Sequence, residues 1–235
     1  MATSITEAII LAGGLGTRLQ TAVPNLPKCM APVAGQPFIN HVIGYLQKAG
    51  IQRFIFSLGY KSEQIEKYVR ENYPHLEAIF VTEAVPLGTG GAIQLAGKQA
   101  SSKDVAIVNG DTLFKVDFAS LASLHHSKEA ACTMALKPIQ QSERYGCVTV
   151  DTTGRITQFI EKKGQGATLI NGGVYILNLS LFLQVPLAAP FSFEKNYLEA
   201  FYLQQKIYGQ VQDAYFIDIG VPEDYERAEE ELNNE

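Results

Sequence analysis

The chain has 235 residues, 46% of them hydrophobic and 18% charged, with a net charge of -5. That balance supplies enough apolar material for a sizeable core and excludes a disordered chain, and the negative charge argues against nonspecific nucleic-acid binding. No apolar run approaches the length of a bilayer span, so no membrane association is expected. No basic stretch precedes Ile9-Ile10-Leu11 as a signal peptide would require. The three cysteines, Cys29, Cys132 and Cys147, are scattered and form no C-x-x-C, which points to a reducing cytoplasm and away from structural zinc.

Short apolar runs alternate with amphipathic stretches. Residues 8–11 read as a first strand. Residues 38–49 read as a helix, with Phe38, Val42, Tyr45, Leu46 and Ala49 at helical spacing and Gly50 as its stop. A strand over 53–58 ends at Gly59, and a helix over 62–71 has Ser62 as its expected cap. Strands over 78–82 and 105–108 flank a helix over 90–99. Residues 121–126 lie in a helix and 132–136 in a strand. This alternation predicts an α/β fold with a mostly parallel sheet and helices on both faces.

After Pro138 the pattern changes. Residues 148–151 and 155–160 flank Thr152-Thr153-Gly154 as a hairpin. A strand over 174–177, a helix over 196–207, a final core strand over 215–217 and a closing acidic helix over 223–232 complete the pass. No Pro/Ser/Gly-rich linker and no internal repeat appear. The expected organisation is one domain over 1–235, with a nucleotide-binding part over about 1–137 and a cover over about 138–235.

The segment Leu11-Ala12-Gly13-Gly14-Leu15-Gly16-Thr17-Arg18-Leu19 follows the first strand, and Leu26-Pro27-Lys28 follows shortly after. Glycines let backbone N–H groups approach an anion, and Arg18 offers a charged fork for phosphate oxygens. The P-loop pattern is absent. The dinucleotide pattern fails because Leu19 stands where a third glycine belongs and no acidic residue lies between Glu7 and Glu63. Residues 1–62 carry Arg18, Lys28, Lys48, Arg53 and Lys61 against Glu7 alone, which fits a localised anion site.

Other polar clusters also fall at strand ends, where ligands bind in open α/β sheets. Residues 105–108 deliver Asn109-Gly110-Asp111, and 215–217 deliver Asp218. Two carboxylates beside a triphosphate cradle suggest Mg²⁺, although an Asp at such a turn also serves as an ordinary turn cap. Glu83 to Gly91 offers backbone groups to a base edge, or forms a plain helix entry. Tyr145-Gly146, Glu161-Lys162 and Asn171-Gly172-Gly173 suit sugar hydroxyls and a phosphate. His41, His75, His125 and His126 lack metal-ligand spacing, and adjacent His125 and His126 should not share a helix face. No G-x-S-x-G and no activated cysteine indicate a covalent nucleophile.

In this order the segments resemble the sugar-1-phosphate nucleotidyltransferases. Phe191-Ser192-Phe193-Glu194-Lys195 and 216–225 look most like the members acting on D-glycero-alpha-D-manno-heptose 1-phosphate with GTP. The resemblance implies a Rossmann-like mixed sheet with an added sugar-binding β portion. It implies nucleotidyl transfer from an NTP, favouring GTP, to a sugar 1-phosphate, with release of pyrophosphate, for surface glycan synthesis.

On that resemblance Arg18, Lys28 and Asp111 are catalytic. Leu11, Gly13, Gly14, Gly16, Thr17, Glu83, Gly88 and Thr89 bind the nucleotide. Tyr145, Gly146, Glu161, Lys162, Asn171 and Gly173 bind the sugar phosphate, and Asp111 and Asp218 hold Mg²⁺. Two alternatives share the pattern: uridylyl or thymidylyl transfer to a hexose 1-phosphate, and a noncatalytic sensor of nucleotides or sugar phosphates. No hexapeptide repeats indicate a fused acetyltransferase half.

Overall fold

Strand β1, Glu7–Ala12, occupies the middle of the parallel part of a nine-stranded sheet. The computed structural model describes residues 4–14, 19, 23–141, 145–160 and 165–233. A single 3₁₀ turn, Lys28–Met30, leads into a small hairpin of β2, Pro32–Val33, and β3, Gln36–Pro37. Helix α1, Phe38–Lys48, then β4, Arg53–Leu58, helix α2, Ser62–Asn72, and β5, Glu77–Thr82, follow. Helix α3, Gly88–Gly97, returns the chain to β6, Asp104–Asn109, on the far side of β1.

A short β7, Thr112–Phe114, and helix α4, Phe118–Ser127, precede β8, Cys132–Gln141. Strands β9, Cys147–Val150, and β10, Ile156–Ile160, form the expected hairpin, and β11, Gln165–Asn178, follows. Helix α5, Leu179–Leu183, a π-helical turn, Phe193–Leu198, and α6, Glu199–Phe201, lead to β12, Ile207–Val211. Strand β13, Phe216–Asp218, and helix α7, Pro222–Leu232, end the described fold.

Strands β5, β4, β1 and β6 are parallel, and β11 runs antiparallel to β6. Strand β8 pairs antiparallel with β11, and β12 pairs parallel with β8. Residues 8–12 are apolar on both sides because both faces of the sheet are covered. Ile10 enters a core with Phe38, Val42 and Leu46 of α1, whereas Ile9 enters the opposite core with Ile93 and Ala96 of α3. Phe38 and Leu46 are fully buried, each stabilising the fold by about 1.5–3 kcal/mol. The chain leaves β1 toward β4 and later returns to β6 on β1's other edge. The sheet therefore has its topological switch at the β1–β6 pair, where a crevice opens at the strand ends.

Several expectations need correction. Ser62 does not cap α2. Lys61 holds that position in a left-handed conformation, φ 52°, with no side-chain capping bond, and its ammonium donates to the Asn25 carbonyl at 2.7 Å. Helix α3 starts at Gly88 and ends at Gly97, two residues earlier at each end than expected. The strand expected over 174–177 spans fourteen residues. The helix expected over 196–207 ends at Phe201. Beyond it the polar run Gln204-Gln205-Lys206 turns, and Ile207 and Gly209 are buried in alternation as β12 pairs with β8. The expected final core strand is β13, which among the described residues pairs with β7 in a separate two-stranded ribbon.

His125 and His126 both turn toward Asp104, each Nε2 standing 3.5 Å from a different carboxylate oxygen. Adjacent helical residues reach one carboxylate because each approaches a different oxygen of Asp104, at the start of β6. Burial would raise the Asp104 carboxyl, but His125, Lys103 and His126 together hold it below the usual carboxylate range.

All three cysteines are unpaired and buried. Burial pushes the Cys29 thiol up to about 12 and that of Cys132 higher still, so neither is a nucleophile near neutral pH. Iodoacetamide at pH 8 should leave Cys29 and Cys132 unmodified in the folded protein and label both in urea, as read by peptide mass spectrometry.

Candidate functional site

Two clefts open on the sheet and meet at Asn109 and Glu194, which line both. The first, about 790 Å³, crosses the carboxyl ends of the parallel strands. Leu11, Gly13 and Gly14 enter it from β1, Ser57, Gly59 and Tyr60 from β4, Glu83 to Pro86 from β5, and Asn109 and Asp111 from β6. The second, about 780 Å³, is lined by Tyr145 and Gly146 before β9, Asn171 to Gly173 of β11, Ser192, Lys195 and Phe216.

Glycine is required where backbones cross. A Cβ at Gly59 would fall 2.7 Å from the Gly13 carbonyl and 2.8 Å from Glu83 Oε1. The Glu83 carboxylate also accepts from Leu87 N at 3.0 Å, folding the loop ahead of α3. Gly88 has φ +70°, and its Cβ would lie 2.8 Å from the Phe191 carbonyl carbon. Gly88→Ala should therefore lower stability by about 2–4 kcal/mol, from backbone strain plus overpacking. An unchanged urea midpoint would contradict this.

Thr89 lines the first cleft, yet its hydroxyl is engaged: it donates to Glu194 Oε2 at 2.7 Å and accepts from Phe193 N at 2.8 Å. Ser192 Oγ also donates to Glu194, at 2.8 Å. Gly90 N and the Phe191 carbonyl, with Phe191 N and the Leu87 carbonyl, close the same seam. Glu194 thus forms the shared wall between the clefts, a role the sequence reading did not assign. The available signal was the Phe-Ser-Phe-Glu-Lys run, whose Ser192 caps the following turn by accepting from Lys195 N.

In the second cleft the pairing of β11 with β8 shifts register between Asn171 and Tyr175. Such a bulge re-aims side chains. Gly173 sits in it at φ +73°, under Asn109, whose Nδ2 would be 2.6 Å from a Cβ there. Asn171 Oδ1 accepts from Gly173 N, and its Nδ2 donates to the Tyr175 hydroxyl at 2.7 Å. Burial, and then the charge of Glu194, keep that phenol protonated.

Asp111 and Asp218 are brought together by two backbone links. Asp218 pairs with Thr112 between β13 and β7, and Ile219 N donates to the Asp111 carbonyl at 3.1 Å. Lys28 stands between them, its Nζ 2.5 Å from Asp111 Oδ2 and 3.3 Å from Asp218 Oδ1. Its position is fixed because Cys29 and Met30, in the same turn, are buried. Burial alone would lower the Lys28 ammonium, but Asp111 and Asp218 outweigh it and raise it above the ordinary lysine value. Thr112 Oγ1 donates to Asp111 Oδ1 at 3.3 Å, and the Tyr145 hydroxyl donates to Asp218 Oδ2, also at 3.3 Å.

Two carboxylates converging on one cation suit a hard metal ion. Among the described residues no group of three or more His, Cys, Asp or Glu could hold a metal, so an ion here would draw its other oxygens from water or phosphate, as Mg²⁺ does. Of the expected site residues, Leu11, Gly13, Gly14, Glu83, Gly88, Thr89 and Asp111 gather in the first cleft, and Tyr145, Gly146, Asn171 and Gly173 in the second. Gly16, Thr17, Arg18, Glu161 and Lys162 lie outside the described residues.

Comparison with known proteins adds the chemistry. The family profile described as Nucleotidyl transferase matches residues 7–235. D-glycero-alpha-D-manno-heptose 1-phosphate guanylyltransferase of Aneurinibacillus thermoaerophilus is 47% identical over 228 residues, covering 97% of this chain and 99% of that protein. The protein of the same name from Campylobacter jejuni is 41% identical, covering 93% and 96%. The crystal structure of HddC from Yersinia pseudotuberculosis, complexed with GMP-PN, superposes with a TM-score of 0.86 at 35% identity, over 97% of this chain and 100% of that one.

Proposed function

Because the chain belongs to the nucleotidyl transferase family, we propose that it transfers GMP from GTP to D-glycero-alpha-D-manno-heptose 1-phosphate, releasing pyrophosphate. The observation that carries this reading is the meeting of two clefts at Asn109 and Glu194, one on the strand ends with Asp111 on its wall and one on the β11 bulge. Near end-to-end similarity to two enzymes named for this reaction supports the choice of base and sugar.

A sugar phosphate oxygen attacks the α-phosphorus, and the bond to the β-phosphate oxygen breaks. That nucleophile is already anionic, so no side-chain base is needed. The protein's work is to bring two polyanions together in line. In this reading Gly13, Gly14, Gly16, Thr17 and Arg18 hold the triphosphate, and Lys28 offsets charge at the reacting centre. Glu83 and the loop to Gly88 face the base. Tyr145, Gly146, Asn171, Gly173 and Glu161 hold the sugar, with Lys162 on its phosphate.

A divalent metal ion serves the family, and Mg²⁺ between Asp111 and Asp218 is the ion proposed here. When bound it would offset phosphate charge during transfer. We read the chain as one domain with its nucleotide part over about 1–137 and its sugar part over about 138–235. No helix among the described residues is long and apolar enough to cross a membrane. Together with the unpaired thiols, this supports a cytoplasmic enzyme.

A pyrophosphate-release assay pairing GTP, UTP, dTTP, CTP and ATP with heptose and hexose 1-phosphates tests the reading. Fastest release should come from GTP with the heptose 1-phosphate. Faster turnover of UTP or dTTP with a hexose 1-phosphate would reassign the substrates. Tight binding without release in any pairing would make the protein a sensor.

A further inference from the structure

Lys28 stands where the two carboxylates would hold a metal ion. Its ammonium contacts an oxygen of each, and the remaining carboxylate oxygens also have protein donors in Thr112 and Tyr145. Gly220 N adds a further bond to Asp218 Oδ1 at 2.8 Å. Lys28 therefore offsets one of the pair's two charges, and every carboxylate oxygen has a donor from the chain itself. A Cβ at Gly220 would fall 2.9 Å from Nζ and 2.8 Å from Asp218 Oδ1, so ammonium and carboxylate press against this backbone. A divalent ion entering beside Nζ would set two cations against each other in a half-buried site, an arrangement that Coulomb repulsion opposes. An incoming phosphate is a competing partner for Lys28, and Asp111 also lines the first cleft.

We infer that Lys28 is a resident counter-cation: it bars a divalent ion from Asp111 and Asp218 until a substrate phosphate draws its ammonium away, so metal enters with the phosphate and not before it. The phosphate half of this inference rests on the proposed nucleotidyl transfer; the exclusion of metal by Lys28 does not.

Mn²⁺ titration followed by electron paramagnetic resonance, on nucleotide-free protein, tests it. Lys28→Met should bind Mn²⁺ at least tenfold more tightly than the unaltered protein, and adding Asp218→Asn to that variant should abolish the gain. Lys28→Gln, which keeps a polar head without charge, serves if the first variant does not fold by circular dichroism. In the unaltered protein, millimolar inorganic phosphate should tighten Mn²⁺ binding several-fold, and it should not do so in Lys28→Met. Equal or weaker Mn²⁺ binding by the Lys28 variants, or no effect of phosphate on the unaltered protein, would overturn the inference. Turnover of GTP and heptose 1-phosphate alongside equal Mn²⁺ affinities would sink the exchange and keep the proposed function. The exchange without turnover would do the reverse.

Discussion

Asp111→Asn should lower kcat for pyrophosphate release by roughly 10³-fold, the scale on which a preoriented electrostatic group acts in a transition state, while the folded protein persists. The substitution conserves size and removes one charge from the wall of the first cleft, where Asp111 meets Lys28. Asp111 supplies the shorter of the two Lys28 contacts, 2.5 Å against 3.3 Å for Asp218. Losing it both weakens the seat for a metal ion and leaves Lys28 leaning on Asp218 alone. The backbone links that build the turn are untouched, since Ile219 N donates to the Asp111 carbonyl and β7 pairs with β13 through main chain. Thermal melting should therefore move by only a few degrees. Steady-state kinetics that stay within tenfold of the unaltered enzyme would remove Asp111 from the reacting centre.

The sheet was legible because its inner strands are apolar on both faces. Residues 8–11, 53–58 and 105–108 differ from their observed bounds by at most a residue or so, since runs such as Val105-Ala106-Ile107-Val108 leave a helix little polar face. The strand-end clusters were legible for a related reason: an abrupt Asn109-Gly110-Asp111 after such a run marks where the sheet stops and chemistry begins. What failed depended on distant partners. Residues 207–211 hold the strand formers Ile207, Tyr208 and Val211, but Gly209 and Gln210 interrupt them, and the strand forms by pairing with β8. Glu194 gains its role from Thr89, 105 positions away. The strand-end positions paired Asp111 with Asp218 and the resemblance added Lys28 at the reacting centre, but nothing in their spacing says that the lysine closes the carboxylate pair across 83 and 190 positions. Ser62 misled because side-chain type was read without the backbone, and the left-handed Lys61 took the turn.

Glu83→Gln should change which nucleotide the enzyme uses. Guanine presents two adjacent donors, N1–H and the N2 amine, on its pairing edge, and a carboxylate answers both with two acceptors. Glu83 stands at the carboxyl end of β5 on the wall of the first cleft, with Oε2 already accepting from Leu87 N. A carboxylate has about four lone-pair sites, so this bond leaves capacity for a base. Gln retains one acceptor for the Leu87 amide but replaces the other by a donor, which meets guanine's donors head-on. Trading charge-assisted bonds worth about 1.5–3 kcal/mol for a donor clash should lower kcat/KM for GTP by roughly 10²-fold. Uracil and thymine flank their single N–H with carbonyl acceptors, which an amide satisfies, so kcat/KM for UTP or dTTP should hold or rise. The diagnostic quantity is the ratio of kcat/KM for GTP to that for UTP, measured with one sugar 1-phosphate. A collapsed loop would depress both nucleotides together, because Gly13, Gly59 and Leu87 all pack on the same carboxylate. A ratio that stays constant while both values fall would therefore assign Glu83 to loop architecture and leave the base to be read by another part of the cleft.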